Sequence, residues 1–588
     1  MEFRELAGFY QQLESVSSRL EMIRIMSEMF RRLEYEEVDK VVYMVQGLLA
    51  PQFEGVEFGL ASKMAEEAIA IATGFTKGEV DKLYKKLGDL GLTAEKLSYE
   101  SKLKRMRSST YTAVMVYDSM MKIAKTSGPG SKELKVKGLA NLLAGSTPLE
   151  CRYLIRYPLG QLRLGAGEYT VLEALSLSTT GSRSLKPVLE NAYNLCGDLG
   201  YVAKVLFKNG ENGVKGIKIT PFMPIRPALA ERLPTAEQIL EKMGGECAVD
   251  QKYDGFRCQV HKRGNEVKIY SRNLEETTSM FPDIVKEVIR SVTADSVIFE
   301  GEALAFNEKT EEFMSFQETI QRKRKHGISE MAESMPLHLM LFDLLYCGVD
   351  YTSKPYSERR KKLSEIISEK SETIKLSRME IVKSAEELSQ FFDESIGEGL
   401  EGIVAKNLSA PYVAGARGFS WIKMKRSYKG ELSDTLDLVI LGYYLGRGSR
   451  AEFLFGGLLC GVYNKDKDIF ETISRIGTGF TEEWMKELRD KLNRIRLKGK
   501  PMRVVSIIEP DFWVEPKYVV TVRADEITRS PMHTCGKHGN GSGYALRFPR
   551  IIGEEPIRKD KNAEEASSTK EIIEMFKQQK KISLKAHS

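Results

Sequence analysis

The stretch Lys252-Tyr253-Asp254-Gly255-Phe256-Arg257 decides the fold of the central part of this 588-residue chain. Apolar, strand-like residues precede it at 247–249 and follow it at 258–260. The pattern predicts a lysine at the end of a β-strand, where the following turn can hold the amine rigidly. A Lys-x-Asp-Gly turn alone is also compatible with an ordinary hairpin, so its meaning depends on the motifs that follow it.

Further motifs follow the lysine motif in a fixed order. They are Ser271-Arg272-Asn273, Phe299-Glu300-Gly301-Glu302, Phe342-Asp343-Leu344-Leu345-Tyr346, Glu401-Gly402-Ile403-Val404-Ala405-Lys406, Arg417, Trp421-Ile422-Lys423-Met424-Lys425 and, towards the C-terminus, Arg547-Phe548-Pro549-Arg550 and Arg558-Lys559-Asp560-Lys561. Because carboxylates, cations and an aromatic residue recur at strand-like positions, the set predicts one site built from several strands.

This set of residue types is what phosphoryl transfer to an amine requires. A lysine attacks only as the neutral amine, which nearby cations and partial burial favour. Lys423 and Lys425 are two positions apart, so on a strand both point to the same face and to the same phosphate. Glu302 and Glu401 could bind a sugar hydroxyl or hold Mg²⁺, which neutralises charge on a transferring phosphate. Phe342 could stack on a base.

Each of these residues also has a simpler structural interpretation. Phe342 alone is more often a core residue, since large apolar side chains are mostly buried. Glu302 alone is more often a solvated strand end, and Lys423 and Lys425 alone are more often an exposed strand face. The joint occurrence of all the motifs in one order favours the catalytic interpretation.

Composition bounds the class of protein. The hydrophobic fraction of 42% and the length predict three or four globular domains. No apolar run is long enough for a membrane span, and the N-terminus lacks a basic stretch followed by an apolar segment, so neither a membrane protein nor a secreted one is expected. Seven scattered cysteines are typical of a reducing compartment. We therefore expect an intracellular protein, in the cytoplasm if the source is prokaryotic, and the net charge of +6 permits nucleic-acid binding.

The sequence changes character twice along the chain. Helical spacing of apolar residues predicts an all-α domain over 1–218, as at Leu20, Ile23 and Met26 or Met64, Ala68 and Ile71. The proline-rich stretch 220–227 reads as an ordered linker. Alternating strands and helices predict an α+β domain over 219–426. Short glycine-broken strands predict a small β-barrel over 427–588, ending in one helix after Ser567.

The ordered motifs resemble those of the nucleotidyltransferase superfamily, and the C-terminal Arg-Phe-Pro-Arg and Arg-x-Asp-Lys narrow the resemblance. Over nearly its full length the chain resembles an ATP-dependent DNA ligase of the archaeal and eukaryotic replicative type. Leu48-Leu49-Ala50-Pro51 and Leu162-Arg163-Leu164-Gly165-Ala166-Gly167 resemble that family's helical DNA-binding domain. The resemblance implies a DNA-binding domain, an adenylation domain and a C-terminal oligonucleotide/oligosaccharide-binding (OB) fold.

The resemblance also implies the reaction and the partners. Lys252 would be adenylated by ATP with Mg²⁺, and the AMP would pass to the 5′-phosphate of nicked duplex DNA before the 3′-hydroxyl seals the nick, in replication, repair and recombination. We expect a monomeric protein that acts on chromosomal DNA. The family suggests a sliding-clamp partner, although the sequence contains no clear clamp-binding motif. The C-terminal domain should also move between steps, on a hinge between Lys425 and Asp434.

By motif position, the resemblance assigns a role to each candidate residue. Asp250, where the family usually has Glu, would accept a hydrogen bond from the adenine amino group, Phe342 would stack on the base, and Glu302 would reach the ribose. Glu401, with Lys406 beside it, is the better metal ligand of the two glutamates. The implied phosphate and DNA contacts are Arg257, Arg272, Arg417, Lys423 and Lys425; Arg558, Asp560 and Lys561 would assist pyrophosphate departure; and Arg163, Gly165, Phe316 and Phe548 would bind DNA.

Two other functions remain open at the level of sequence. An RNA ligase or capping guanylyltransferase shares the lysine chemistry but generally lacks the long helical N-terminus. A non-catalytic DNA-binding scaffold would have no need of a reactive lysine. Labelling with radioactive ATP or GTP, followed by a denaturing gel, separates all three. The NAD-dependent bacterial ligases carry a zinc module of paired cysteines, whereas His533, Cys535 and His538 have no second pair of ligands nearby.

Overall fold

The computed structural model of the protein describes residues 1–16, 18–101, 103, 110–162, 164–307, 312–313, 336–371, 373–398, 400–425, 435–446, 455–537, 539, 541–553, 555 and 557–585. The predictions for Arg163 and Phe316, for His538 and for the hinge between Lys425 and Asp434 therefore lie outside the described residues.

The N-terminal part is a bundle of helices, as predicted. The helices are α1 Phe3–Glu14, α2 Arg19–Phe30, α3 Tyr35–Val45, α4 Ser62–Thr73, α5 Lys77–Leu87, α6 Leu90–Tyr99, α7 Ala113–Lys125, α8 Ser131–Ala144, α9 Pro148–Arg156, α10 Glu168–Thr180, α11 Lys186–Cys196 and α12 Leu199–Lys215. Their apolar faces share one core. Thr147 caps α9, and Pro148 opens its first turn, so the chain itself signals where this helix starts.

Both apolar repeats that predict helices lie in helices, as expected, but two of their residues are exposed. Leu20 is 60% exposed and Ile71 is 51% exposed, whereas Ile23, Met26 and Ala68 are buried. Leu20 is the second residue of α2, and Ile71 lies in the last turn of α4. Helical spacing alone assigns both to the buried faces, but at these helix ends the tertiary packing leaves them in solvent.

The central domain consists of two sheets with helices packed against them. One sheet has the order β1-β11-β10-β2-β9, and the other has the order β4-β3-β5-β7-β8, with β6 on β5. Lys252 is the last residue of β2, as predicted. The elements are β1 Leu229–Arg232, α13 Ala236–Met243, β2 Cys247–Lys252, β3 Phe256–Arg263, β4 Glu266–Ser271, α14 Pro282–Ser291, β5 Ser296–Asn307, β6 Glu312–Phe313, β7 Leu337–Cys347, α15 Tyr356–Ile366, β8 Ile374–Leu376, β9 Met379–Val382, α16 Ala385–Gly397, β10 Gly402–Lys406 and β11 Arg417–Lys425.

The C-terminal domain is β-rich and ends in the predicted helix. A curled eight-stranded sheet forms a half-barrel around its own core, and a two-stranded hairpin joins it. The elements are β12 Leu436–Tyr444, β13 Gly457–Asn464, β14 Ile469–Ile476, α17 Glu482–Arg494, β15 Arg496–Leu497, β16 Val504–Val505, β17 Phe512–Val514, β18 Val519–Arg523, β19 Glu526–Ser530, β20 Gly543–Arg547, β21 Arg550–Ile551 and α18 Thr569–Lys585. Within the described parts of the three domains, no helix is long and apolar enough to cross a membrane.

The proline-rich linker packs on both the domains that it connects. The backbone of Ile225 exchanges two hydrogen bonds of 2.8 Å with the side-chain amide of Gln259 in β3. Arg226 pairs with Glu168 of the helical domain, and its guanidinium lies 4.5 Å from the centre of the Tyr193 ring. The linker is therefore ordered, as predicted, because its polar groups are satisfied on both sides.

A buried ion pair joins β7 to α15. The Arg359 guanidinium donates two hydrogen bonds to the Asp343 carboxylate, at 2.7 Å and 3.0 Å, and both side chains are fully buried. A third guanidinium nitrogen binds the backbone oxygens of Lys354 and Ala410, at 2.7 Å and 3.0 Å. The pair has its hydrogen bonds satisfied, so removal of one partner leaves a buried charge uncompensated.

Asp343→Ala should lower the free energy of unfolding of the central domain by about 3–5 kcal/mol, because Arg359 is then buried without a counterion. Urea denaturation followed by circular dichroism measures the change. Asp490→Ala removes an exposed partner of Arg489 and should cost less than about 1 kcal/mol. An equally small loss for Asp343→Ala would contradict the assignment of a structural role to the buried pair.

Candidate functional site

A cleft of 540 Å³ lies where the two central sheets meet the C-terminal domain. The sheets contribute charged walls and an aromatic wall, and the C-terminal domain contributes Arg547 and Phe548. The candidate residues that line the cleft are Asp250, Lys252, Arg257, Arg272, Glu302, Phe342, Glu401, Lys406, Lys423, Lys425 and Phe548. The structure thus brings most of the predicted set together.

The amine of Lys252 is ion-paired with the carboxylate of Glu401, which also pairs with Lys425. This arrangement follows from the sheet, because Gly402 of β10 lies opposite Lys252 on one side and Lys425 on the other. Burial opposes ionisation of Glu401, but Lys252 and Lys425 outweigh it and lower its pKa. Burial lowers the pKa of Lys425, although Glu401 acts against it. The nearest charged partner of Lys252 is therefore an anion, and the cation Lys425 shares that carboxylate with it.

Glu302 is the second carboxylate beside Lys252. Burial raises its pKa to about 7, although Lys252 and Arg257 act in the opposite direction. Among the described residues, no hydrogen bond to its carboxylate is seen, and no cluster of three or more metal-ligand side chains occurs. Two carboxylates in a phosphate-binding cleft fit Mg²⁺, which commonly takes one or two protein carboxylates and completes its shell with phosphate oxygens and water. Glu302 and Glu401 could hold that ion.

An aromatic wall closes the other side of the cleft. The rings of Phe342 and Trp421 meet edge to face, with centroids 6.0 Å apart. The guanidinium carbon of Arg257 lies 5.4 Å from the centre of the Phe342 ring and 5.7 Å from the centre of the Trp421 ring. The guanidinium donates to the Glu300 carboxylate at 2.8 Å and to the backbone oxygen of Ala228 at 3.0 Å. Arg257 therefore supports the wall, and its Nε is buried without a hydrogen-bond partner among the described residues.

Lys406 lies with Asp250 and not beside Glu401, so that part of the prediction is wrong. Its ammonium is 2.8 Å from the Asp250 carboxylate and donates to the backbone oxygen of Phe342 at 2.9 Å. The reason is the geometry of β10, because Glu401 precedes this strand and Lys406 ends it. Burial lowers the pKa of Lys406, and Asp250 opposes that effect.

The C-terminal domain reaches the nucleophile motif through Arg547. Its guanidinium donates to Asp254 at 3.1 Å and 3.3 Å and to Glu526 at 2.9 Å. The next residue, Phe548, is 60% exposed and has a positive φ of 50°, which a bulky residue rarely adopts. A core position for Phe548 is therefore excluded, and the residue lines the cleft.

Three other predicted residues, Arg558, Lys561 and Gly165, do not line the cleft. Arg558 pairs with Asp560 and Asp437, and Lys561 pairs with Asp437 at 2.6 Å, all within the C-terminal domain. Gly165 lies in the helical domain with a positive φ of 67°. Arg417 begins β11, and its side chain lies outside the described part of the structure.

Several contributors to the cleft or its supports, Arg547, Tyr356 and Ser377 among them, were not among the predicted site residues. Arg547 was quoted only within a motif, and Tyr356 and Ser377, whose hydroxyls bind Asp250, were not identified at all. Arg547 stood next to a predicted DNA contact, so its charge was an available signal. No motif or spacing links Tyr356 or Ser377 to the lysine motif.

Family models agree with this architecture and identify the family. The DNA ligase N terminus matches residues 2–176, the ATP dependent DNA ligase domain matches residues 227–425, and the ATP dependent DNA ligase C terminal region matches residues 451–561. The chain belongs to the ATP-dependent DNA ligases. The predicted enzyme class, use of ATP and fold class are thereby confirmed, and nicked DNA follows as the substrate.

Individual relatives match this ligase over almost its full length. It is 49% identical to a "Probable DNA ligase" of Dictyoglomus turgidum over 582 residues, 99% of this chain and 98% of that protein. It is 43% identical to a "DNA ligase" of Staphylothermus marinus over 601 residues, which cover 99% of this chain and 100% of that protein. The solved structure described as "Pmar-Lig_Pre." has the same fold, with a TM-score of 0.55, 17% identity and coverage of 94% of this chain and 99% of that one.

Proposed function

We propose that this ligase seals nicks in duplex DNA through a covalent Lys252–AMP intermediate. The observation that carries the proposal is the position of Lys252, at a strand end in a cleft with carboxylates and lysines on one side and an aromatic wall on the other. The phosphates of a nucleotide need charged groups, and its base needs an aromatic surface to stack on. An RNA ligase or capping enzyme is less favoured, because the relatives named DNA ligase cover the helical domain as well.

In the proposed reaction, the Lys252 amine attacks the α-phosphate of ATP, a P–N bond forms and pyrophosphate leaves. The 5′-phosphate of the nick then attacks the AMP phosphorus, the P–N bond breaks, and Lys252 is restored. Finally the 3′-hydroxyl attacks the 5′-phosphate, its proton is lost, and AMP leaves. Before the first step Lys252 must separate from Glu401 and lose a proton, because an ion-paired ammonium has no lone pair to donate.

The other candidate residues are proposed to act around this chemistry. Phe342 offers a ring to the adenine, Asp250 accepts from its amino group, and Glu302 reaches the ribose. Mg²⁺ held by Glu302 and Glu401 would neutralise phosphate charge. Arg257, Arg272, Arg417, Lys423 and Lys425 are proposed to serve the phosphates and nearby DNA, with Lys406 as the support of Asp250, and Arg163, Gly165, Phe316 and Phe548 are proposed to contact DNA.

The proposal also covers organisation in the cell. We propose a monomer inside the cell that acts on chromosomal DNA, with domains over 1–218, 219–426 and 427–588. A sliding clamp is a proposed partner by family resemblance alone. The domain limits agree with the end of α12 at Lys215 and the start of β12 at Leu436.

Lys252→Arg tests the covalent intermediate. Arginine keeps the positive charge but stays protonated, so the variant should take no label from α-³²P ATP on a denaturing gel and should seal no nicks with ATP. Lys242→Arg changes a lysine outside the cleft and should label normally. Normal labelling of Lys252→Arg would refute the assignment of the nucleophile.

Arg558→Ala tests the movement of the C-terminal domain. Arg558 is held by Asp560 and Asp437, away from the cleft, although by family resemblance it assists pyrophosphate departure. Arg558 cannot assist pyrophosphate departure from a position away from the cleft, so the C-terminal domain must move between steps. Self-adenylation should fall at least about tenfold, and sealing of a pre-adenylated nick should fall less.

The matched control for Arg558 is Lys559→Ala, which removes an exposed neighbour paired with Glu555. Both activities of this variant should stay near wild type. An equal loss of self-adenylation and sealing in Arg558→Ala would argue against separate arrangements of the domain.

Phe548→Ala tests the contact with the nick. Because the side chain is 60% exposed, its removal should leave the melting temperature nearly unchanged and Lys–AMP formation normal. Nick sealing should fall at least about tenfold, since distortion of the duplex costs about a few kcal/mol per unstacked step and the apolar side chain would offset part of that cost. Phe419→Ala, at a residue 49% exposed outside the cleft, is the control. An unchanged sealing rate would remove the proposed wedge.

A further inference from the structure

The carboxylate of Asp250 is enclosed by hydroxyl groups from parts of the chain that carry none of the ligase motifs. Asp250 is 2% exposed and lies in the wall of the cleft. The Tyr356 hydroxyl donates to its Oδ2 at 2.7 Å, and the Ser377 hydroxyl donates to its Oδ1 at 2.7 Å. Each carboxylate oxygen is therefore fixed by its own donor, one from the first turn of α15 and one from the turn before β9.

Cations complete the surroundings of this carboxylate. Lys406 lies 2.8 Å from Oδ2, and Arg360 lies 3.8 Å from Oδ1. Arg360 also donates to the Ser377 hydroxyl at 2.9 Å, so it orients the hydroxyl that binds Asp250. Burial opposes ionisation of Asp250, but Lys406 and Arg360 outweigh it and lower its pKa. The group is thus an ionised carboxylate, which can accept hydrogen bonds but cannot donate them.

One of the two carboxylate oxygens of Asp250, Oδ1, can accept a further hydrogen bond from a ligand. Within the described residues, Oδ2 accepts the Tyr356 hydroxyl and contacts the Lys406 ammonium, whereas Oδ1 accepts only the Ser377 hydroxyl. A carboxylate oxygen accepts about two hydrogen bonds, so Oδ1 keeps an acceptor position. An amino group on a base can donate to that position, whereas an oxo group brings a second acceptor against an anion and is disfavoured.

We infer that Tyr356 and Ser377 are positioning residues that aim the Asp250 carboxylate at the 6-position of a purine, and so set the preference for a 6-amino over a 6-oxo nucleotide. The inference rests on the proposed function, because it assumes that Lys252 is adenylated by a nucleotide bound in this cleft. Aspartate is one methylene shorter than glutamate, so its oxygens follow the backbone more closely. Two hydroxyls that bind both oxygens fix the orientation of the carboxylate.

The experiment compares ATP with inosine triphosphate, which carries an oxo group at position 6. Formation of the labelled Lys252 adduct is measured for the full chain as wild type, Tyr356→Phe and Ser377→Ala. In each variant the KM for ATP should rise about tenfold, as expected for a weakened hydrogen bond to a charged group, while kcat changes less than about twofold. The ratio of kcat/KM for ATP to that for inosine triphosphate should fall about tenfold.

Matched controls remove equally buried hydroxyl groups elsewhere in the same domain. Tyr270 donates to the backbone oxygen of Phe222 at 3.0 Å, and Ser395 donates to that of Phe391 at 2.7 Å. Tyr270→Phe and Ser395→Ala should lower the melting temperature as much as the test variants do. Their preference for ATP should equal that of the wild type, because neither hydroxyl contacts Asp250.

The outcomes separate this inference from the proposed function. A wild-type protein that takes no label at Lys252 overturns the proposed function, and the inference with it. A labelled wild type, together with test variants whose preference for ATP is unchanged, overturns the inference alone and leaves Tyr356 and Ser377 as structural groups. Because the two variants act on different oxygens, either one decides the question if the other fails to fold.

Discussion

The antiparallel register of β10 with both of its neighbours is the constraint on which the site depends. Gly402 lies opposite Lys252 of β2 and opposite Lys425 of β11, so two distant lysines converge on the carboxylate that precedes the strand. A β-carbon at Gly402 would approach the backbone oxygen of Met424 to 2.1 Å, and the φ of this residue is 147°. Only glycine fits such a close approach between strands, so the position that fixes the register tolerates no side chain.

The same strand also separates two groups of residues in the cleft. Glu401 and its partners Lys252 and Lys425 lie at its beginning, and its end carries Lys406, which joins Asp250 to the backbone of Phe342. Since β10 has only five residues, these two groups are held at a nearly constant separation. The buried pair of Asp343 and Arg359 then fixes the strand that carries the aromatic residue.

The sequence allowed the local features to be predicted, because strand periodicity is a local property. It placed Lys252 at the end of a strand and Lys423 and Lys425 on one face, and the structure agrees. It could not predict that Asp250 is hydrogen-bonded to Tyr356, 106 positions away, and to Ser377, 127 positions away. Nor could it show that Glu401 and Lys406 lie apart, since that depends on which residues the neighbouring strands present.

The contact between Arg547 and Asp254 has a consequence for the effect of salt. Both side chains are partly solvated, at 28% and 33% exposure, and salt weakens ion pairs of this kind. Salt also weakens the binding of any protein to DNA phosphates. Rising ionic strength should therefore weaken two interactions of this ligase. One is the binding of the protein to duplex DNA, and the other is the contact of the C-terminal domain with the nucleophile motif.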